Sequence, residues 1–188
     1  MIWPHENQLV LQFSTSTAWQ SSIIRKLCHS PFSHVDMVLP NGNLLGASDQ
    51  GPHSVCIRGN PQGVAERPPD YQEFGIRREM IIETPLASKI IKRWESQLGK
   101  PFDGSALHSF LNDKVFDRNW QDPNMWFCSE GIVWSMEMEG FWDFPILWAK
   151  SRISPMDLYL ILAVDHRFVN RLTFWDQIQG LKLGPREL

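Results

Sequence analysis

The stretch that decides the fold runs from residue 126 to residue 134 and reads Trp-Phe-Cys-Ser-Glu-Gly-Ile-Val-Trp. Phe127, Ile132 and Val133 fall close to helical spacing, and Gly140 suits the end of a helix. Cys128 then lies in the first turn, where the helix dipole and unpaired N–H groups favour a thiolate. The same N–H groups are suited to holding a developing oxyanion. A lone cysteine is more often a small buried hydrophobe, so a role as nucleophile needs support from elsewhere in the chain.

Length and composition fit one domain over residues 1–188, with a core at about 9–162 and a C-terminal extension at about 163–188. The net charge of −3 offers no basic excess for phosphates, which argues against a nucleic-acid partner. The cysteines are odd in number and form no CxxC pair, so we expect neither a disulfide framework nor a metal site, and no cofactor.

The N-terminus shows no basic region followed by an apolar core, so we expect no signal peptide. No apolar run reaches the length of a membrane span. The default compartment is the cytoplasm, with delivery by a phage particle or a secretion system as the alternative. The sequence gives no indication of oligomeric state.

Alternating helical and strand signals predict an α+β fold, in which an antiparallel sheet packs against helices. The sequence Asn41-Gly42 is a hairpin signal that joins the second predicted strand to the third. Residues 59–70 hold three Pro and two Gly and are predicted to be a loop. The predicted strands are 9–13, 32–39, 43–48, 54–58, 74–76 and 80–83, and the predicted helices are 18–27, 85–98, one beginning near Cys128 and one beginning at Ser154-Pro155.

Four motifs occur in a distinctive order along the chain. They are Ser-His-Val-x-Met-Val at 33–38, Gly-Lys-Pro-Phe-Asp at 99–103, Phe-Cys-Ser-Glu at 127–130 and Ser-Pro-Met-Asp-Leu at 154–158. In this order they resemble the permuted papain-like hydrolases, the YaeF/YiiX-like branch of the NlpC superfamily. The resemblance covers about residues 9–160. It implies a circularly permuted papain-like fold, in which the His strand precedes the Cys helix.

The resemblance implies that Cys128 is the nucleophile of a cysteine hydrolase and that His34 is its base. The expected reaction is cleavage of an amide bond through an acyl-enzyme, with a cell-wall peptide, peptidoglycan fragment, other peptide or acyl-amide as substrate. Two alternatives stay open. One is a lipid acyltransferase or esterase of the same fold, favoured by the many Trp and Phe, and the other is a binding module whose catalytic machinery has decayed.

The family usually orients its His with a polar residue, often Glu, at the position that is Gly46 here. The replacement depends on the register of the hairpin: a two-residue turn places Asp49 opposite His34, and a three-residue loop places Ser48 there. A pocket beside Cys128 is expected to involve Trp126, Phe127 and Phe102, although core packing explains these aromatic residues equally well.

Overall fold

The computed structural model describes residues 6–17, 19–49, 55–104, 122, 124–142 and 153–164. Within these residues the chain has an α+β architecture of six strands and four helices. The strands are β1 (Gln8–Ser16), β2 (His34–Val38), β3 (Leu44–Asp49), β4 (Arg58–Gly59), β5 (Gln62–Arg67) and β6 (Phe74–Glu83). The helices are α1 (Trp19–Leu27), α2 (Ala87–Glu95), α3 (Cys128–Met138) and α4 (Pro155–Val164).

The strands form one sheet in the order β4-β5-β3-β2-β1-β6, and every neighbouring pair is antiparallel. The hairpin between β2 and β3 turns through three residues. The Gly42 N–H donates to the Leu39 carbonyl at 2.8 Å, and Gly42 has a φ of 81°. A left-handed residue at this point is typical of three-residue hairpin loops, and Gly adopts it without a steric cost. The resulting register pairs Met37 with Leu45.

The two faces of the sheet are covered by different clusters of apolar side chains. Because strand residues alternate between faces, Leu9, Leu11 and Phe13 of β1 lie in the main core, whereas Val10 lies in a smaller cluster on the other face. The main core is completed by side chains of α2, α3 and α4, and the smaller cluster by Tyr71 and other residues. Burial on both sides explains why the middle of β1 reads as a nearly continuous apolar run.

The prediction of a loop over residues 59–70 is wrong, because this segment contains β5. Gly63 reads as a loop signal, but its small size lets β5 approach the segment after α2. A Cβ on Gly63 would overlap the Lys100 carbonyl oxygen and lie 2.8 Å from Pro101 Cα. The Val64 N–H donates to that same Lys100 carbonyl at 2.8 Å. Close approach of two backbones is a common reason for Gly within a strand.

Other boundaries differ in detail from those expected. The two strands predicted at 74–76 and 80–83 are one strand, β6, and the strand predicted at 54–58 is reduced to the short β4 at its end. The four predicted helices are confirmed to within a few residues at the ends that the structure describes. The C-terminal extension lies outside the described residues from residue 165 onward.

The start of α4 shows the capping that its sequence predicts. The Asp157 N–H donates to Ser154 Oγ at 3.1 Å, and the Ser154 N–H donates to Asp157 Oδ2 at 2.9 Å. Two backbone donors are thus satisfied reciprocally, with Pro155 at the first helical position. Among the helices in the described ranges, none combines the length and the apolar character that crossing a bilayer requires.

Candidate functional site

Backbone pairing fixes the segment that leads into α3. The Trp126 N–H donates to the Pro101 carbonyl at 3.1 Å, and the Asp103 N–H donates to the Trp126 carbonyl at 3.0 Å. Phe102 and Trp126 form a parallel β-bridge at this point. The motif at 99–103 and the motif at 127–130, far apart in the chain, are therefore adjacent in space, and the first anchors the approach to the second.

The first turn of α3 presents Cys128 at its first position. Phe127 precedes it in an extended conformation, and its N–H donates to Glu130 Oε2 at 3.2 Å. The Ser129 hydroxyl donates to the Ile153 carbonyl just before α4. These contacts hold both sides of the helix start in place. The thiol consequently lies at the positive end of the helix dipole, a position that favours a thiolate.

The aromatic residues beside Cys128 belong to the core. Trp126 and Phe127 are 2% and 1% exposed, and the Trp126 indole packs against Trp94 and Trp134 at centroid distances of 5.9 and 4.9 Å. Their side chains are used in core packing, the alternative that the sequence leaves open, and a role in lining a pocket stays a prediction. Phe102 is only partly buried and contacts Phe127 at 5.7 Å.

His34 is the first residue of β2, and its ring is held by two oxygen atoms. Its Nε2 lies 2.9 Å from Asp36 Oδ1 and 3.2 Å from the Tyr71 hydroxyl. The same hydroxyl donates to Asp36 Oδ2 at 3.2 Å. The side chains of His34 and Asp36 are only 12% and 1% exposed, so both hydrogen bonds are largely shielded from water.

The structure brings His34 and Cys128 together. Burial by itself lowers the pKa of His34, but the Asp36 carboxylate, the negative charge of Cys128 and hydrogen bonds to both side chains outweigh it. Together they raise the pKa of His34 to about 10, from an ordinary value of 6.5. The surroundings therefore favour an imidazolium, which is the form that stabilises a neighbouring thiolate.

The expectation that Ser48 or Asp49 orients His34 is corrected, because Asp36 occupies the place beside Nε2. The three-residue loop selects the register in which Ser48, not Asp49, continues opposite His34. Asp49 is exposed at the end of β3. Ser48 is buried, and its carbonyl accepts a hydrogen bond from the Arg67 guanidinium at 3.4 Å.

Gly46 explains why Asp36 fits where it does. Continuing the register of β2 and β3 by one residue from Met37↔Leu45 places Gly46 opposite Asp36, on the face shared with His34. A Cβ on Gly46 would overlap Asp36 Oδ1 and lie 3.0 Å from Asp36 Cγ. The space that a side chain at Gly46 would fill is thus taken by the Asp36 carboxylate.

Arg67 stabilises this arrangement through hydrogen bonds to backbone carbonyls and a contact with Tyr71. It is completely buried, and its guanidinium donates to the carbonyls of Gly46 and Gly63, each at 2.9 Å. The same group lies 5.3 Å from the centre of the Tyr71 ring. Burial, and then the nearby Asp36 charge, raise the pKa of Tyr71 well above its usual value, so its hydroxyl stays protonated and can donate. Arg67 therefore ties β3, β5 and Tyr71 into one unit.

Sequence reasoning missed Asp36 and Tyr71. A signal for Asp36 existed, because residues two apart in a strand lie on the same face, and Asp36 is two residues after His34. Tyr71 carried no comparable signal, since it comes from the connection between β5 and β6, which no local pattern places near β2.

The other two cysteines have different surroundings. Cys28 is partly buried, and burial, then the Asp157 charge, raise its pKa to about 11 from 9.0. A thiol in this environment stays protonated at neutral pH and is a poor nucleophile. Cys56 is partly exposed. Both cysteines are useful internal references for the reactivity of Cys128.

Comparison with known proteins adds no family to this picture. No family model matches the chain, and a search of the curated proteins finds no match either. The site is therefore interpreted from its own geometry and from the motif order described above.

Proposed function

We propose that this chain is a cysteine-dependent hydrolase that cleaves an amide bond through an acyl-enzyme on Cys128, with His34 as base. One observation carries the proposal. A thiol at the first position of a helix lies beside an imidazole whose pKa it helps to raise, and a buried carboxylate contacts Nε2 of that ring. Nucleophile, base and orienting group in this order are the recurring requirement of covalent catalysis by a side chain.

The chemistry follows from the charges at the site. The Cys128 thiolate attacks the carbonyl carbon and forms a C–S bond, while the carbonyl electron pair moves onto oxygen. The His34 imidazolium gives its proton to the leaving nitrogen as the C–N bond breaks, which leaves a thioester. Neutral His34 then takes a proton from water, and the resulting hydroxide breaks the C–S bond and restores the thiolate.

Stabilisation of the oxyanion falls to the start of α3 in this proposal. The first N–H groups of a helix have no partner within the helix, and they point out of its N-terminus. An oxyanion formed on the carbon bonded to Cys128 Sγ lies near these groups, where the dipole adds further stabilisation.

The substrate class that we favour is a peptide or acyl-amide, including a cell-wall peptide. The alternative of a lipid acyltransferase or esterase was motivated by the many Trp and Phe of the chain, and of these Trp126 and Phe127 beside Cys128 are core residues. The alternative of a decayed binding module was motivated by Gly46, and Asp36 supplies the carboxylate that this position lacks. The permuted papain-like fold is part of the same proposal, supported by the order of β2 before α3 in an α+β chain.

Trapping of the acyl-enzyme tests the proposal. The protein is incubated with activated acyl esters and acyl-amides, quenched in acid, and measured by intact mass and peptide mapping. We expect one acyl group on Cys128 in the native chain and in Cys28→Ala, and none in Cys128→Ala. His34→Ala should acylate much more slowly. Acylation that persists in Cys128→Ala, or that maps to Cys56, contradicts the proposal.

A further inference from the structure

Gly46 on β3 and Asp36 on β2 lie opposite each other and share one buried volume. Gly46 has no side chain, and the Asp36 carboxylate, from the opposite strand, fills the volume that a side chain there would occupy. Asp36 is only 1% exposed, so its charge is removed from water and needs partners to be tolerated. It has two, His34 at 2.9 Å and the Tyr71 hydroxyl at 3.2 Å.

We propose that Asp36 is the positioning residue of His34 and that Gly46 leaves the space that Asp36 needs. A carboxylate at residue 36 or at residue 46 can orient His34, but the two cannot be present together. This inference rests on the proposed function. Asp36 acts through the ring of His34: it accepts a hydrogen bond from the Nε2–H group, fixes the tautomer and stabilises the imidazolium, and it does not touch the substrate. Tyr71 holds the second carboxylate oxygen and so limits rotation of Asp36.

The steric relation makes the proposal reciprocal. Gly46→Asp alone places two carboxylates in one buried volume, where they overlap and repel each other. Asp36→Gly alone empties the volume and leaves His34 without its carboxylate. The double variant Asp36→Gly/Gly46→Asp removes the overlap, because the contact that then remains for the new Cβ is Asp36 Cα at 3.6 Å, an ordinary separation. The oxygen atoms of the new Asp start from a Cβ beside the former position of Asp36 Oδ1, which itself lies 2.9 Å from Nε2.

The first experiment measures kcat/KM and its pH profile for the native chain, both single variants and the double variant. Asp36→Gly should lose activity by roughly 10²-fold or more, because the orienting carboxylate of the His base is lost. Gly46→Asp should also lose activity, because its overlap with Asp36 displaces that carboxylate from His34. The double variant should recover at least tenfold over both. A double variant that folds and is no more active than either single variant overturns the proposal.

Asp36→Asn separates positioning from a merely structural role, because it keeps the shape and removes the charge. We expect the pKa of His34, followed by NMR of the imidazole carbons, to fall in Asp36→Asn and to be unchanged in Asp49→Asn, the matched exposed carboxylate. Since this titration needs no turnover, it can be read even if Cys128 does not acylate, so failure of the proposed function is distinguishable. An unchanged His34 titration in Asp36→Asn overturns the positioning role.

Discussion

Because Gly131 packs against Trp94, we expect Gly131→Ala to destabilise the protein, although Ala has the higher helix propensity. Gly131 lies inside α3, three residues after Cys128, and faces the indole of Trp94 on α2. A Cβ at Gly131 would overlap the six-membered ring of that indole, and the Cζ2 atom of this ring would lie 2.9 Å from the Cβ. Trp94 has no room to withdraw, because it is completely buried, and its Nε1 donates to the Leu45 carbonyl at 3.3 Å.

The magnitude for Gly131→Ala follows from two opposing effects. In an exposed helix, replacing Gly by Ala stabilises by about 1 kcal/mol. Overpacking a rigid core costs roughly 1–3 kcal/mol, and overlap with a fixed ring belongs at the upper end of that range. We expect a net loss of about 1–2 kcal/mol in the free energy of unfolding. For a chain of this size, each 1 kcal/mol lowers Tm by roughly 2–4 °C.

Urea titrations at constant pH measure this loss, with Met138→Ala as the matched control, since Met138 lies on the same helix and is 52% exposed. The control should change stability by less than about 0.5 kcal/mol. In a Trp94→Phe background the six-membered ring of the indole is absent, and Gly131→Ala should then stabilise. If Gly131→Ala stabilises the native chain by the full helix-propensity amount, the close contact between α2 and α3 is refuted, and with it the rigid placement of Cys128.

Three further predictions concern stability. The folded-state pKa of His34 is raised from 6.5 to about 10, so its protonation contributes stability that is complete below pH 6.5 and is lost as pH rises to 10. The free energy of unfolding over this pH range should therefore fall more for the native chain than for His34→Gln. Equal slopes for the two proteins would contradict the raised pKa. Ser154→Ala removes the cap of α4 and should cost about 1 kcal/mol in thermal unfolding, whereas exposed Ser88→Ala should change little. Arg67→Lys leaves buried carbonyls without donors and should cost about 1–3 kcal/mol in urea, more than Arg78→Lys; equal costs would argue against the carbonyl network.

The parts of the fold that sequence predicts well are those with a local physical signal. The apolar spacing of α2 and the Ser154-Pro155 start of α4 each specify their element. Asn41-Gly42 specifies a hairpin but leaves its loop length open between two and three residues. By contrast, β5 has no strand signal of its own, contains Gly63 and is flanked by Pro61 and Pro68. Its identity depends on pairing with β3 and on contact with residues 100–101. These are tertiary contacts, and a short stretch of sequence does not specify them.

The same distinction applies to the site. Motif order predicts Cys128 and His34 as a catalytic pair, because it carries information that single residues lack. The sequence does not identify the third position, because the choice between Ser48 and Asp49 assumes that the partner comes from β3. The carboxylate beside His34 comes from β2 itself, two residues further along the same strand, and the overlap between a Cβ on Gly46 and Asp36 shows why it fits there. Arg67 reaches the site from the end of β5 and Tyr71 from the connection that follows, so the position of both depends on the assembled sheet.

The measurement that most directly tests the pairing of Cys128 with His34 is the pH dependence of thiol alkylation in the native protein. Iodoacetamide is reacted for short times between pH 5 and pH 9, and each cysteine is quantified by mass spectrometry. We expect Cys128 to be modified faster than Cys28 and Cys56 at pH 6, at a rate that changes little with pH, and to lose this advantage in His34→Ala. A Cys128 that reacts no faster than Cys56 at pH 6, or whose rate is the same in His34→Ala, contradicts a thiolate held by His34.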